Sequence, residues 1–213
     1  YMSADATVFV IDDNLGVRNS LRALMKSAGL AVETYESGEE FLKAYDPERP
    51  GCLVLDVRLR AGANGLDVQD ELRARKATLP IIVLTGHGNV PTSVRALKAG
   101  AVDFLQKPVP PKVLVERIRA AIEADRAARG AAHAHDNVKA RLARLTPRER
   151  QVMELLVNGE TTKEIAYDLH LSARTVEAYR RTVLRKMNVT SAAQLVRVVI
   201  EMRLGSAITE EVI

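Results

Sequence analysis

The sequence predicts an α/β fold, a doubly wound five-stranded parallel sheet of order 2-1-3-4-5, followed by a smaller all-α domain of four helices. Over roughly the first 125 residues short apolar runs alternate with amphipathic stretches, which is the pattern of strand-helix crossovers with helices on both faces of a sheet. Beyond about residue 140 the strand-like runs stop and well-marked helix starts take over. The length, 213 residues, suits two small domains better than one large one.

The predicted strands are Thr7–Asp13, Ala31–Tyr35, Cys52–Asp56, Pro80–Gly86 and Ala101–Lys107. Between them fall helical patterns at Leu15–Ser27, Gly38–Tyr45, Leu66–Lys76, Pro91–Lys98 and from Pro111 onward, with Ser37 and Glu40 spaced as a capping box. The last helix, carrying Leu114, Ile118 and Ile122 on one face, runs into an Ala/Arg/His-rich stretch interrupted by Gly130. We therefore divide the chain into a first domain over 1–125, a mostly helical connector over 126–143 and a second domain over 144–213. His133 and His135 lack further candidate ligands nearby and read as a solvated pair.

In the second domain, Thr146-Pro147-Arg148-Glu149 combines an N-cap, proline at the first helical position and a reciprocal glutamate. Thr161 with Glu164 and Ser191 with Gln194 repeat the capping spacing. Helices are expected over about 147–157, 162–169, 173–187 and 192–203, with Asn158-Gly159 ending the first and Ser172 capping the third. Two short helices, a tight turn at His170-Leu171-Ser172 and a longer basic helix describe a helix-turn-helix.

Composition narrows the function classes. Hydrophobic residues make up 47% and charged residues 27%, which excludes disordered and low-complexity readings. No apolar run reaches the ~20 residues of a membrane span, no basic–apolar–small leader pattern opens the chain, and Tyr1 ahead of Met2 reads as a cloning remnant. The lone cysteine, Cys52, excludes an internal disulfide and fits a reducing cytoplasm. Net charge is +4 but unevenly placed: residues 1–125 hold 16 Lys/Arg against 17 Asp/Glu, and residues 126–213 hold 15 against 10. A polyanionic partner is expected for the second domain alone.

Asp12 and Asp13 end the first predicted strand, Asp56 the third, Thr85 the fourth and Lys107 the fifth. Ligands of open parallel sheets bind beyond the carboxyl ends of the strands, where these five residues converge. Converging carboxylates need a cation to stay ionised, and an all-oxygen site suits Mg²⁺. A central carboxylate, Asp56, can then act as nucleophile toward phosphorus, with Lys107 pairing to a phosphoryl oxygen and the Thr85 hydroxyl donating to another.

The runs Ile11-Asp12-Asp13-Asn14, Asp56-Val57-Arg58, Leu84-Thr85-Gly86-His87-Gly88 and Ala99-Gly100-Ala101-Val102-Asp103-Phe104-Leu105-Gln106-Lys107-Pro108 closely resemble a two-component receiver domain. The runs Leu145-Thr146-Pro147-Arg148-Glu149-Arg150-Gln151-Val152 and Ser172-Ala173-Arg174-Thr175-Val176-Glu177 are similar to the LuxR-type helix-turn-helix. Together they resemble the FixJ/NarL family of response regulators, on the FixJ side. The resemblance implies a transcription regulator phosphorylated on Asp56 by a sensor histidine kinase, with Mg²⁺ held by Asp12, Asp13, Asp56 and the Arg58 backbone carbonyl. It further implies a cis Lys107–Pro108 peptide, and a homodimer that on phosphorylation binds double-stranded promoter DNA and works with RNA polymerase.

One run departs from the family. After Asp56 the usual proline is missing and the loop Arg60–Gly65 is one residue longer, which bears on the cover over the pocket and not on the Arg58 carbonyl before it. Thr85 and Phe104 fit the hydroxyl and aromatic pair that switches position in receivers. By the same resemblance Val94, Arg95, Lys98 and Leu105 belong to the phosphorylation-dependent dimer face.

On the basic helix, Val176, Val183 and Met187 form one stripe and should face the core. Carried over from the family, Glu177, Ala178 and Arg181 face the major groove, where Arg181 would pair with guanine, Glu177 accept from cytosine and Ala178 touch a thymine methyl. Lys163, Arg174, Thr175, Tyr179, Arg180 and Lys186 are the expected phosphate contacts. The competing enzyme reading is a phosphohydrolase with an aspartyl nucleophile. It would need an acid two residues after Asp56, where Arg58 stands, so the chain is read as a regulator and not an enzyme.

Overall fold

The computed structural model describes residues 6–59, 64–86 and 90–210. Tyr1, His87, Gly88 and most of the lengthened loop, 60–63, lie outside the described residues. The chain divides into two compact units, Tyr1–Ala128 and Arg129–Ile213.

The first unit contains strands β1 (Thr7–Ile11), β2 (Ala31–Tyr35), β3 (Gly51–Leu55), β4 (Ile81–Thr85) and β5 (Asp103–Gln106). They pair in parallel in the order β2-β1-β3-β4-β5. Helices α1 (Leu15–Ser27), α2 (Gly38–Ala44), α3 (Gly65–Ala74), α4 (Val90–Lys98) and α5 (Pro111–Ala143) connect or follow them. The strands stop one or two residues short of Asp13, Asp56 and Lys107, so these side chains leave from the loops just beyond the strand ends rather than from the strands themselves.

Alternation along the central strands splits the core in two. Phe9, Ile11, Leu53, Leu55 and Val83 pack with Phe41, Leu66, Leu72 and Ala96 on the face covered by α2, α3 and α4. Val8, Val10, Cys52, Val54, Ile82 and Leu84 pack with Leu21, Met25, Leu114 and Ile118 on the face of α1 and α5. Asp125, buried, accepts from the Gly51 N–H at 3.1 Å and ties α5 to the start of β3.

Gly130 does not interrupt the helix: α5 runs from Pro111 to Ala143. The alanines around Gly130 favour helix by more than one exposed glycine costs, about 1 kcal/mol. The stretch 126–143, expected as a mostly helical connector, is helix throughout as the second half of α5, and Val138 and Leu142 within it pack onto the C-terminal core.

That core gathers Val152, Met153, Leu156, Ile165, Val176, Val183, Met187, Leu195 and Val199. They come from α6 (Pro147–Val157), α7 (Thr162–Asp168), α8 (Ala173–Lys186) and α9 (Ala192–Glu210), the last longer than the sequence pattern suggested. Reciprocal capping boxes at Thr146/Glu149 and Thr161/Glu164 start α6 and α7. The Ser37/Glu40 and Ser191/Gln194 pairs cap differently. Each serine accepts the expected N–H, but the Glu40 and Gln194 side chains reach one residue further back, to the N–H of Glu36 and Thr190. His170, at φ 51°, follows α7 in the left-handed conformation and lets the chain turn into α8.

Candidate functional site

At the carboxyl edge of the sheet, Lys107 Nζ lies 2.7 Å from Asp12 Oδ2 and 2.7 Å from Asp56 Oδ2. One ammonium thus bridges the ends of β1 and β3. The Asp12 and Asp56 side chains are 3% and 13% exposed, so the two negative charges lie close together with little water to screen them. Burial disfavours the Lys107 charge, yet the hydrogen bonds and charges of Asp12 and Asp56 outweigh it and hold its pKa above the ordinary lysine value. The remaining oxygens are aligned by backbone donors, Asn14 N–H on Asp12 Oδ1 at 2.9 Å and Arg58 N–H on Asp56 Oδ1 at 3.1 Å.

Asp13 is half-buried beside Asp12, and Thr85, fully buried, closes β4 next to β5. The Lys107 N–H donates to the Thr85 carbonyl at 2.8 Å, which sets the depth of the lysine, and Lys107–Pro108 is cis. Phe104 is half-buried against the α2–α4 core, on the register partner of Val83 and two residues from that of Thr85.

Two residues that sequence patterning passed over shape this pocket. Arg18 is buried in α1 and donates to the Asp12 carbonyl oxygen at 2.7 Å, with Glu36 3.5 Å from its other nitrogen. An arginine on an apolar helix face was the only signal available. Gly65 begins α3 against Asp56, where a Cβ would sit 2.0 Å from the Asp56 carbonyl oxygen.

The proposed dimer-face residues are not equivalent. Val94 and Lys98 are exposed, with Leu97 and Val102 extending an apolar surface on α4 and before β5. Arg95 turns toward α3, 3.0 Å from Asp70 and 3.6 Å from Asp67. Leu105 is half-buried and packs against the α1–α5 core, because alternation in β5 sends it to the face opposite Phe104.

On α8, Arg174, Glu177, Ala178, Arg181 and Arg185 are exposed on one side while Val176 and Val183 are buried on the other. Lys163 is exposed on α7. Glu177 accepts from Thr162 Oγ1 at 2.6 Å and lies 3.8 Å from Arg180, which is half-buried. The Thr175 hydroxyl is 2.8 Å from that of Ser172, and half-buried Tyr179 packs against the core. Lys186 is half-buried, and its ammonium lies on both Glu149 oxygens and the Arg144 carbonyl.

A doubly wound domain with acids and a lysine at its switch point, followed by a helix-turn-helix with a basic exposed face, defines a class: a regulator that pairs an acidic phosphoryl-type pocket with a DNA-reading domain. Residues 8–119 match the response regulator receiver domain, and residues 143–199 match the bacterial regulatory proteins of the luxR family. The transcriptional regulatory protein FixJ of Azorhizobium caulinodans is 46% identical over 92% of this chain and 92% of its own. Nodulation protein W of Bradyrhizobium diazoefficiens is 44% identical over 92% of this chain and 86% of its own. Among solved structures, the response regulator StyR aligns with a TM-score of 0.87 at 40% identity, over 93% of this chain and all of that one. Full-length FixJ from B. japonicum aligns with a TM-score of 0.58 at 39% identity, over 95% of this chain and 99% of that one. The chain belongs to the two-component response regulators that join a receiver to a LuxR-type DNA-binding domain.

Proposed function

We propose that this regulator is switched by phosphorylation of Asp56, with a sensor histidine kinase as donor, and that the phosphorylated receiver dimerises and raises affinity for promoter DNA. The Lys107 bridge between Asp12 and Asp56 carries this reading. It holds one carboxylate central and leaves a cation beside the place where phosphoryl oxygens would arrive.

Receivers generally use Mg²⁺ at this position. Among the described residues no three acidic, His or Cys side chains are gathered as a metal cluster, and Lys107 bridges Asp12 and Asp56. The donor chemistry nonetheless fits, because Asp12, Asp13, Asp56 and the Arg58 carbonyl offer oxygen alone. Bound there, Mg²⁺ would offset charge on the incoming phosphoryl group. The chain's own residues do the rest: Arg18 and Gly65 hold the backbones of Asp12 and Asp56, Lys107 pairs with a phosphoryl oxygen, and Thr85 donates its hydroxyl.

Linking two reading heads at a spacing that matches two half-sites raises affinity without a new contact, so dimerisation through the α4–β5 surface is a sufficient switch. No helix among the described residues is long and apolar enough to cross a membrane. Action in the cytoplasm, with RNA polymerase as a further partner at the promoter, completes the reading. The test is intact mass after incubation with Mg²⁺ and a small phosphodonor, followed by sedimentation with and without a stable phosphoryl mimic. Wild type should gain one phosphate and dimerise, and Asp56→Asn should do neither. Equal uptake by both proteins would overturn the assignment of Asp56, and a monomer under both conditions would overturn the dimer switch.

A further inference from the structure

The carboxyl end of α8 is held to α5 and α6 by polar side chains. Lys186 Nζ donates to the two Glu149 oxygens at 2.9 and 2.7 Å and to the Arg144 carbonyl at 3.1 Å. An ammonium has three protons, and these three acceptors are enough to engage all of them. Glu149 is buried and also accepts from the Thr146 N–H at 2.7 Å, so one carboxylate joins the start of α6 to the last turn of α8. Beside it, Arg141 Nη1 from α5 donates at 3.1 Å to the carbonyl of Met187, the C-cap of α8. That carbonyl lacks a helical partner and lies at the negative end of the helix dipole, where a cation is favoured.

We propose that Lys186 and Arg141 are positioning residues for DNA reading: they lock the end of the recognition helix onto α6 and the last turns of α5 without touching DNA. This deepens the DNA-binding reading of the domain and rests on it. Turning Lys186 outward onto a phosphate would leave Glu149, whose side chain is largely covered, without its cation and two of its hydrogen bonds, which is costly. The consequence extends to the borders of the module. The segment that fixes α8 includes Arg141, together with Val138 and Leu142 in the core, so the DNA-reading unit begins inside α5 and not after it.

The two roles leave different signatures. A lysine on a phosphate releases a counterion and adds about 0.9 to the slope of log affinity against log salt, whereas a positioning residue changes affinity at constant slope. The full chain is titrated against a mixed-sequence duplex of about 30 bp by fluorescence anisotropy across a salt series. Lys186→Met and Arg141→Gln should each weaken binding by roughly threefold or more at every salt, with the wild-type slope retained. Arg141→Lys should recover most of the loss. Glu149→Gln gives the sharpest contrast. Removal of a negative charge and release of Lys186 would tighten binding if Lys186 were a phosphate contact, but should weaken it here. The double variant Lys186→Met with Glu149→Gln should be no weaker than Lys186→Met alone, because the pair acts as one unit.

A slope flatter by about one unit in Lys186→Met, or tighter binding by Glu149→Gln, overturns the proposal. Should Lys186→Met lose helical signal by circular dichroism, the isosteric Glu149→Gln decides alone. A wild-type chain that binds no duplex at low salt even with a stable phosphoryl mimic would defeat the DNA-binding reading itself, while wild-type binding with a flatter slope in Lys186→Met defeats only the positioning role.

Discussion

Gly65 stands directly against Asp56, so closely that a Cβ on Gly65 would lie 2.0 Å from the Asp56 carbonyl oxygen. The Gly65 N–H donates to the Val57 carbonyl at 2.7 Å, which presses the first turn of α3 onto the loop leaving β3. The obstructing atom belongs to the backbone and cannot swing aside as the tip of a side chain would. Only glycine lets α3 start where it does, and the position of α3 in turn fixes the peptide of Asp56.

Gly65→Ala should therefore cost stability and geometry together. We expect a loss of roughly 1–3 kcal/mol from overpacking, and slower phosphate uptake from a small donor because the Asp56 carboxylate moves with its backbone. Thermal unfolding and a mass time course measure the two effects. A variant that melts with wild type and takes up phosphate at the wild-type rate would show that the loop yields freely.

Cys52 should be inert in the folded protein. It is fully buried in β3, and burial, aided by the negative charge of Asp125, pushes its thiol up to about 12. The thiolate is the reactive form, so labelling by an alkylating reagent at neutral pH should be negligible until denaturant opens the sheet. Rapid labelling of the native protein would place Cys52 on an opening segment instead.

Much of this architecture is visible in the amino-acid string because its cues are local. The polar residues at the ends of apolar runs, Asp12, Asp56, Thr85 and Lys107, mark the pocket through the strand period alone, and Thr146 and Thr161 mark helix starts through spacing. What escaped depends on contacts distant in sequence. Arg18 reads as an ordinary helix cation until α1 packs it over the Asp12 carbonyl. The pattern of α8 likewise does not reveal that Glu149, 37 residues earlier, pairs with Lys186. The face on which Leu105 packs is hidden as well, since a four-residue strand gives no alternation long enough to show it.

The Glu149–Lys186 pair should make the C-terminal unit acid-sensitive in a definable window. Hydrogen bonds from Lys186 and then from the Thr146 N–H hold the Glu149 carboxyl below the usual carboxylate range. A folded-state pKa below the unfolded one contributes stability above the unfolded value, about 4.3, and loses it as pH falls toward the folded value. The melting difference between wild type and Glu149→Gln should accordingly be largest near pH 6 and narrow as pH drops through about 4. A difference that stays constant over that range would mean the pair adds nothing that titrates.

Arg180 and Arg181 are neighbours in sequence with different surroundings, and their variants should behave differently on DNA. Arg181 is exposed on the same side of α8 as Ala178 and Arg185, while Arg180 is half-buried and leans on Glu177 at 3.8 Å. A guanidinium free to point outward from the middle of a recognition helix can pair with a base edge, and one at the helix flank meets the backbone first. Arg181→Ala should thus cost roughly 1–3 kcal/mol on the specific operator and narrow the gap to scrambled DNA. Arg180→Ala should weaken both duplexes by similar factors and flatten the salt slope by about one unit. Once genome-wide occupancy has supplied an operator, titrations of both variants on specific and scrambled duplexes at several salt concentrations separate the roles. Equal weakening of both duplexes by Arg181→Ala would make Arg181 a second phosphate contact, and base reading would then fall to Glu177 and Ala178 alone.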